Sequence, residues 1–254
     1  MPVASSSAVP AAVVLPTLRT VDMVWPDQSN HHGTLFGGAA VAMLDRLAYI
    51  VGTRALAAPA VTASITELAF AHPAPAGQLV EAHARVTDVG ERSAWIEAEL
   101  ISEDLLSGQR THCVSGRFVM VRPASSPPAA ARTPAHETRA DMPAQACTVA
   151  DIVFPGHVNH RGILHGGPAM AWMSKAGFVA ATRHSRRSVV MAGCERVDFD
   201  APAHVGDIVE AHAWVQRTGR RSIQVQAQLW VESAPSGQPQ RCATATMTYV
   251  ALDP

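Results

Sequence analysis

A segment of the chain is written twice, and that duplication confines it to architectures in which two like domains pair. Asn30-His-His-Gly-Thr-Leu-Phe-Gly-Gly leads into an apolar stretch that holds Asp45, and Asn159-His-Arg-Gly-Ile-Leu-His-Gly-Gly leads into a similar one. Asn30 and Asn159, Gly37 and Gly166, and Asp45 and Ser174 are each 129 residues apart. Repeats of that length are whole domains and not the units of a solenoid. The first half is read as residues 18–123 and the second as 146–254. Residues 124–145, rich in Pro, Ala and Ser without apolar periodicity, have the composition of a linker. The two copies differ where it matters chemically: one keeps a carboxylate inside its apolar stretch, and the other carries Ser174.

Within each half the local signals follow one order. A short strand is expected at 19–24 and again at 148–154. Gly-Gly then opens a nearly all-apolar helix, over 37–57 and 166–184. Helices apolar on most faces are buried, here by a sheet that curls around them. Strands follow at 61–70, 79–88, 93–101 and 111–121, with counterparts at 189–199, 208–216, 222–231 and 241–251. Turn signals such as Gly90, Ser107-Gly108, Gly206-Asp207 and Gly219 separate them. Each half thus reads as an α+β unit: a strand, a long buried helix and a four-stranded antiparallel meander. Two such sheets can pair edge to edge, which protects the joined edges.

Charge and cysteine content exclude several classes of function. Twenty Lys+Arg against 21 Asp+Glu give a formal net charge of −1, so no surplus recruits nucleic acid or an anionic membrane. No apolar run reaches the ~18 residues of a membrane span. Residues 1–16 carry no positive charge and lack the n-region of a signal peptide, so they read as a flexible lead-in to a cytoplasmic protein. Cys113, Cys147, Cys194 and Cys242 form no C-x-x-C pair, and with the halves aligned by their final strands, at an offset of 131, Cys113 faces Thr244 and Cys242 faces Thr111; they read as buried free thiols.

Asp45 lies among Val41, Ala42, Leu44, Leu47 and Ala48. A lone carboxylate there is costly unless paired. A nearby hydroxyl or Arg54 would make it a structural strut, but a strut shared by both halves should recur, and residues 168–182 contain no carboxylate. Gly37-Gly38 and Gly166-Gly167 place bare backbone N–H groups at helix starts, where they would stabilise a developing oxyanion or simply permit close packing. Gly37 and Asp45 are eight residues apart, or ~12 Å along one helix, too far to act on one carbonyl carbon. Antiparallel packing of the two helices about a pseudo-twofold axis removes that difficulty. One composite site then holds Asp45, Asn159, Gly166 and Gly167. The other holds Asn30, Gly37, Gly38 and Ser174 and has no base.

The pattern Asn-x-x-Gly-x-x-x-Gly-Gly, with Asp eight residues after the first glycine of the pair, resembles the hotdog-fold acyl-CoA thioesterases. The tandem-repeat cytosolic acyl-CoA hydrolases are the nearest kind. Val61-Thr-Ala-Ser, Phe70, Pro73, Gly77, Gly90 and Ser93 add to the resemblance in the first half, as do Phe199, Pro202, Gly206, Gly219 and Ser222 in the second. The resemblance implies two tandem hotdog domains, each a long central helix wrapped by an antiparallel sheet, paired as a pseudo-dimer. It implies acyl-CoA hydrolysis with Asp45 from one domain and Asn159 from the other. Coenzyme A enters as part of the substrate, with no further cofactor. It also implies a homo-oligomer, a trimer of tandem units, working in fatty acid metabolism. Ser174 departs from the pattern and marks a degenerate second site. His165 stands where the first half has Phe36, and would contact substrate.

The phosphates of coenzyme A call for cationic contacts, and Arg92-Ser93 and Arg221-Ser222, at turns after Gly90 and Gly219, are candidates for them; exposed turn arginines are the alternative. His31, His32, His157, His160 and His165 crowd the two loops, but the i,i+4 pair of zinc hydrolases is absent, and no metal is expected. Two other functions remain open: a non-catalytic acyl-CoA binder or sensor, and an enoyl-CoA hydratase or dehydratase that pairs His165 with Asp45.

Overall fold

The computed structural model describes residues 15–123, 142–233 and 237–252. Most of the expected lead-in and linker, residues 1–14 and 124–141, lies outside the described residues. The first half contains β1 (Thr17–Met23), α1 (Gly37–Leu56), β2 (Val61–Phe70), β3 (Leu79–Val89), β4 (Ser93–Glu103) and β5 (Arg110–Val121). The second contains β6 (Cys147–Ile152), α2 (Gly166–Ser185), β7 (Val189–Phe199), β8 (Ile208–Thr218), β9 (Ser222–Glu232) and β10 (Pro239–Ala251).

All ten strands join one antiparallel sheet in the order β1-β3-β4-β5-β2-β7-β10-β9-β8-β6. The four strands after each helix do not form the simple meander expected from their sequence order. β3, β4 and β5 do so, but β2 pairs with β5 and leaves β3 for β1. The reason lies in the connection after β2. It is too long for a tight hairpin and is tied to the loop before α1, with the Leu35 N–H donating to the Ala74 carbonyl and the Ala76 N–H to the Gly33 carbonyl. The chain therefore crosses the sheet end, and β2 is delivered to the centre of the molecule. There it pairs with β7 across the two halves, Ser64 opposite Asp198 and Ala69 opposite Gly193.

Alternation sets the inner face. Ala94, Ile96, Ala98 and Leu100 of β4 are buried, as are Ile223, Val225, Ala227 and Leu229 of β9. The many alanines let each helix lie close to its sheet. Register shifts in β2, after Thr62 and after Thr66, mark bulges that bend the sheet around α1, and Glu67 takes a left-handed φ of 54° within the second. Only a stripe of α1 reaches solvent, carrying Arg46, Ile50 and Arg54.

The helices themselves pack antiparallel. A β-carbon on Gly38 would lie 2.7 Å from the Ala171 Cα, and one on Gly167 would lie 2.6 Å from the Ala42 Cα. The crossing is centred on Ala40 and Ala169, at most 1% exposed and again 129 residues apart. Glycine is required there because the backbones approach more closely than any side chain allows.

Candidate active site

Asp45 sits midway along α1 and is 1% exposed. Thr62, at the start of β2, donates its hydroxyl to Oδ1 at 2.7 Å. From the other half, the Gly167 N–H donates to Oδ2 at 3.0 Å. Of the two structural partners considered for Asp45, the hydroxyl is present, and Arg54 lies on the exposed stripe instead. Burial pushes the Asp45 pKa above its ordinary 3.8, while the Thr62 hydroxyl, His165 and the N–H groups of Gly167 and Gly166 pull it back. The result is a carboxylate without a cationic partner, held by neutral donors from two domains.

The start of α2 is shaped around this carboxylate. A β-carbon on Gly166 would lie 2.8 Å from Asp45 Oδ1, so glycine is what lets the group come so close. The Gly167 N–H donates to Asp45 and the Gly166 N–H also favours its ionised form, so the positive end of the α2 dipole faces the carboxylate. Asn159 is 7% exposed and held by its own loop, its Oδ1 accepting from the N–H groups of Arg161 at 2.9 Å and Ile163 at 3.2 Å. Its amide NH2 is therefore the end free to address a ligand. His165 precedes α2, and its ring meets Tyr49 edge-on at a centroid distance of 5.0 Å. The Tyr49 hydroxyl and His160 Nδ1 are 2.8 Å apart. Burial lowers the His165 pKa, opposed by the nearby Asp45 charge.

The second composite position repeats the geometry with a serine where the first has a carboxylate. Ser174 is 1% exposed, and its hydroxyl lies 2.6 Å from where a β-carbon of Gly38 would stand. It donates instead to the Ala171 carbonyl of its own helix at 3.1 Å. Asn30 holds its loop as Asn159 does, accepting from the His32 N–H at 2.9 Å. Thr62 is the functional candidate that reading the sequence missed, although a signal was present: the residue 129 positions on is Met191, so a hydroxyl and a carboxylate vanish together in the second half. An apolar cavity of about 640 Å³ opens at this second position, bounded among others by Asn30, Gly37, Ser174 and Met191.

The arginine turns lie farther out. Ser93 is opposite Val121, which is opposite Val61, so the Arg92-Ser93 turn is at the sheet end where Thr62 begins, two strands away. By the same pairing Ser222 leads through Val250 to Val190, beside the cavity. Arg92, Arg221 and Ser222 are exposed. Among the described residues, no cluster of three or more His, Cys, Asp or Glu is placed to hold a metal. All four cysteines are free and buried, and burial pushes Cys194 and Cys242 up to about 12. Among the described residues, no helix is long and apolar enough to cross a membrane.

Comparison with known families agrees with the duplication. A profile described as the thioesterase superfamily matches residues 32–108 and again 161–237. The chain belongs to the thioesterase superfamily. It carries the superfamily's hotdog fold twice, in tandem. Acyl-coenzyme A thioesterase 11 of Mus musculus is 26% identical over 91% of this chain and 46% of its own length. Cytosolic acyl coenzyme A thioester hydrolase of Homo sapiens is 31% identical over 45% of the chain and 32% of its own. The chain thus spans half or less of these curated relatives. An acyl-CoA hydrolase structure from Agrobacterium tumefaciens is 40% identical, covering 94% of this chain and 96% of that one at a TM-score of 0.43. A putative oleoyl thioesterase from Lactobacillus plantarum shares the fold, with a TM-score of 0.65 and 11% identity over 94% of this chain and 98% of its own.

Proposed function

We propose that the protein hydrolyses acyl-CoA thioesters at one composite site between its domains, 18–123 and 146–254. The observation that carries this reading is a buried carboxylate of one domain held by the helix start of the other. Asp45 takes a proton from a water molecule as the water oxygen attacks the thioester carbon. The Gly166 end of α2 and the Asn159 amide polarise the carbonyl oxygen, while Thr62 and Gly167 keep Asp45 aimed. The C–S bond then breaks, and the coenzyme A thiolate leaves with the electron pair. Because a thiolate is a good leaving group, no metal is needed. His165 and Tyr49 shape the acyl side, and the exposed Arg92-Ser93 and Arg221-Ser222 turns are placed for phosphate contacts.

The family membership and the acyl-CoA relatives support this reading, and a cytosolic relative supports a cytoplasmic location. Trp25 and Phe154, 129 residues apart and 50% and 54% exposed, support association of tandem units into a homo-oligomer, which we take to be a trimer. A second reading, hydration of an enoyl thioester, draws on His165 acting electrostatically on Asp45. Thiol release from acyl-CoAs of graded chain length, by wild type and Asp45→Ala side by side, decides between them. Release by wild type only is the expected result. Loss of enoyl absorbance without thiol release would establish the hydratase instead.

A further inference from the structure

The cavity at the second composite position has no part in the chemistry above, yet its construction is that of a ligand site. Its volume of about 640 Å³ falls within the ~300–1,000 Å³ usual for small-molecule pockets. Phe36, Phe70, Leu100, Phe178 and Met191 supply apolar walls drawn from both domains. At its mouth Ser188 is bracketed by two imidazoles, 3.0 Å from His31 Nε2 and 2.8 Å from His32 Nε2. The two groups that would make such a site hydrolytic are missing, since Ser174 and Met191 stand where the other half has Asp45 and Thr62. The space is open, apolar within and polar at the rim, where His31 and His32 stand.

We infer that this cavity is a non-hydrolytic binding site for the acyl chain of an acyl-CoA, whose thioester persists there for want of a base. The choice of ligand rests on the hydrolase reading, through the pseudo-twofold axis that relates the two positions. Substrate chemistry is therefore shared, and only the reacting groups differ. A chain of several methylenes enters past His31 and His32 and lies along Phe70 and Met191, with coenzyme A left outside.

The test counts binding equivalents. Isothermal titration of the full chain uses S-octyl-coenzyme A, a thioether that cannot be hydrolysed, alongside a thiol-release assay on octanoyl-CoA. Ala71 is exposed at the cavity mouth, and Ala192 lines it on β7. Ala71→Trp plugs the entrance, and Ala192→Phe fills the interior as an independent variant; circular dichroism checks that both fold. The expected result is that each variant loses one bound equivalent per chain relative to wild type while thiol release continues. Loss of no equivalent by either folded variant overturns the inference. So does a parallel loss of thiol release, which would make the cavity part of the Asp45 site. Absence of thiol release by wild type defeats the hydrolase reading, while the change in equivalents still decides the cavity.

Discussion

Thr62→Val isolates the hydrogen bond on which the proposed role of Asp45 as a base depends. Valine keeps the branched shape of the side chain in a position only 9% exposed, so the main loss is one hydroxyl donating at 2.7 Å to a buried carboxylate. Hydrogen bonds to charged groups contribute about 1.5–3 kcal/mol. At tenfold per 1.36 kcal/mol, that corresponds to a fall of roughly 10- to 150-fold in kcat/KM. The pH dependence gives the sharper signature. The hydroxyl favours the ionised carboxylate, so removing it raises the Asp45 pKa further, and the acid limb of the profile moves to higher pH. Thr62→Ser restores a donor and should return both the rate and the limb towards wild type. Thiol release measured across pH for the three proteins is the assay. A valine variant that matches wild type in rate and limb would refute the reasoning, as would a limb displaced towards lower pH.

Asp45→Ala should lower hydrolysis by roughly 10²–10⁴-fold, the range for loss of a general base, with its circular dichroism spectrum unchanged. Asp45→Asn tests linkage. A folded-state pKa raised above the ordinary 3.8 gives stability that is complete below that value and is lost as pH rises through the folded value. The variant's urea midpoint should therefore exceed wild type by a margin that grows with pH until Asp45 is ionised. Ser174→Ala removes a hydroxyl that donates only to its own helix, and turnover should not change. Gly167→Ala places a methyl group 2.6 Å from the Ala42 backbone, so its unfolding free energy from urea titration should fall by an amount at the upper end of the ~1–3 kcal/mol that overpacking costs.

Much of the architecture was legible because the chain is its own comparison. The bounds of β2 and β7 follow from β-branched runs ended by Phe70 and Phe199, and the helices begin at their glycine pairs. Strand order was less legible. Local alternation says which residues form strands but not which strands meet, and the departure of β2 from β3 depends on loop contacts at Ala74 and Ala76. In the site, the approach of Gly167 to Asp45 follows from spacing and symmetry alone. Thr62 did not stand out, because a threonine near the start of a strand is ordinary until its partner at Met191 is set beside it. The hold of the α2 start on Asp45 depends on distances that no spacing rule supplies.

The paired loss of carboxylate and hydroxyl has a physical logic. A buried carboxylate deprived of its donor is left under-solvated, at about 1–3 kcal/mol or more for a charged group. Loss of the threonine alone would thus weaken the fold, and loss of the aspartate alone would strand a buried hydroxyl. Losing both relieves each cost: Ser174 bonds to its own helix, and Met191 needs no partner at all. On the proposed mechanism, the first half keeps the costly arrangement because burial without a cation raises the Asp45 pKa and leaves it basic enough to take a proton. The asymmetry between the halves is therefore one of stability against chemistry. Two identical sites would impose the desolvation of a carboxylate twice in a single core, and in this chain only one half bears it.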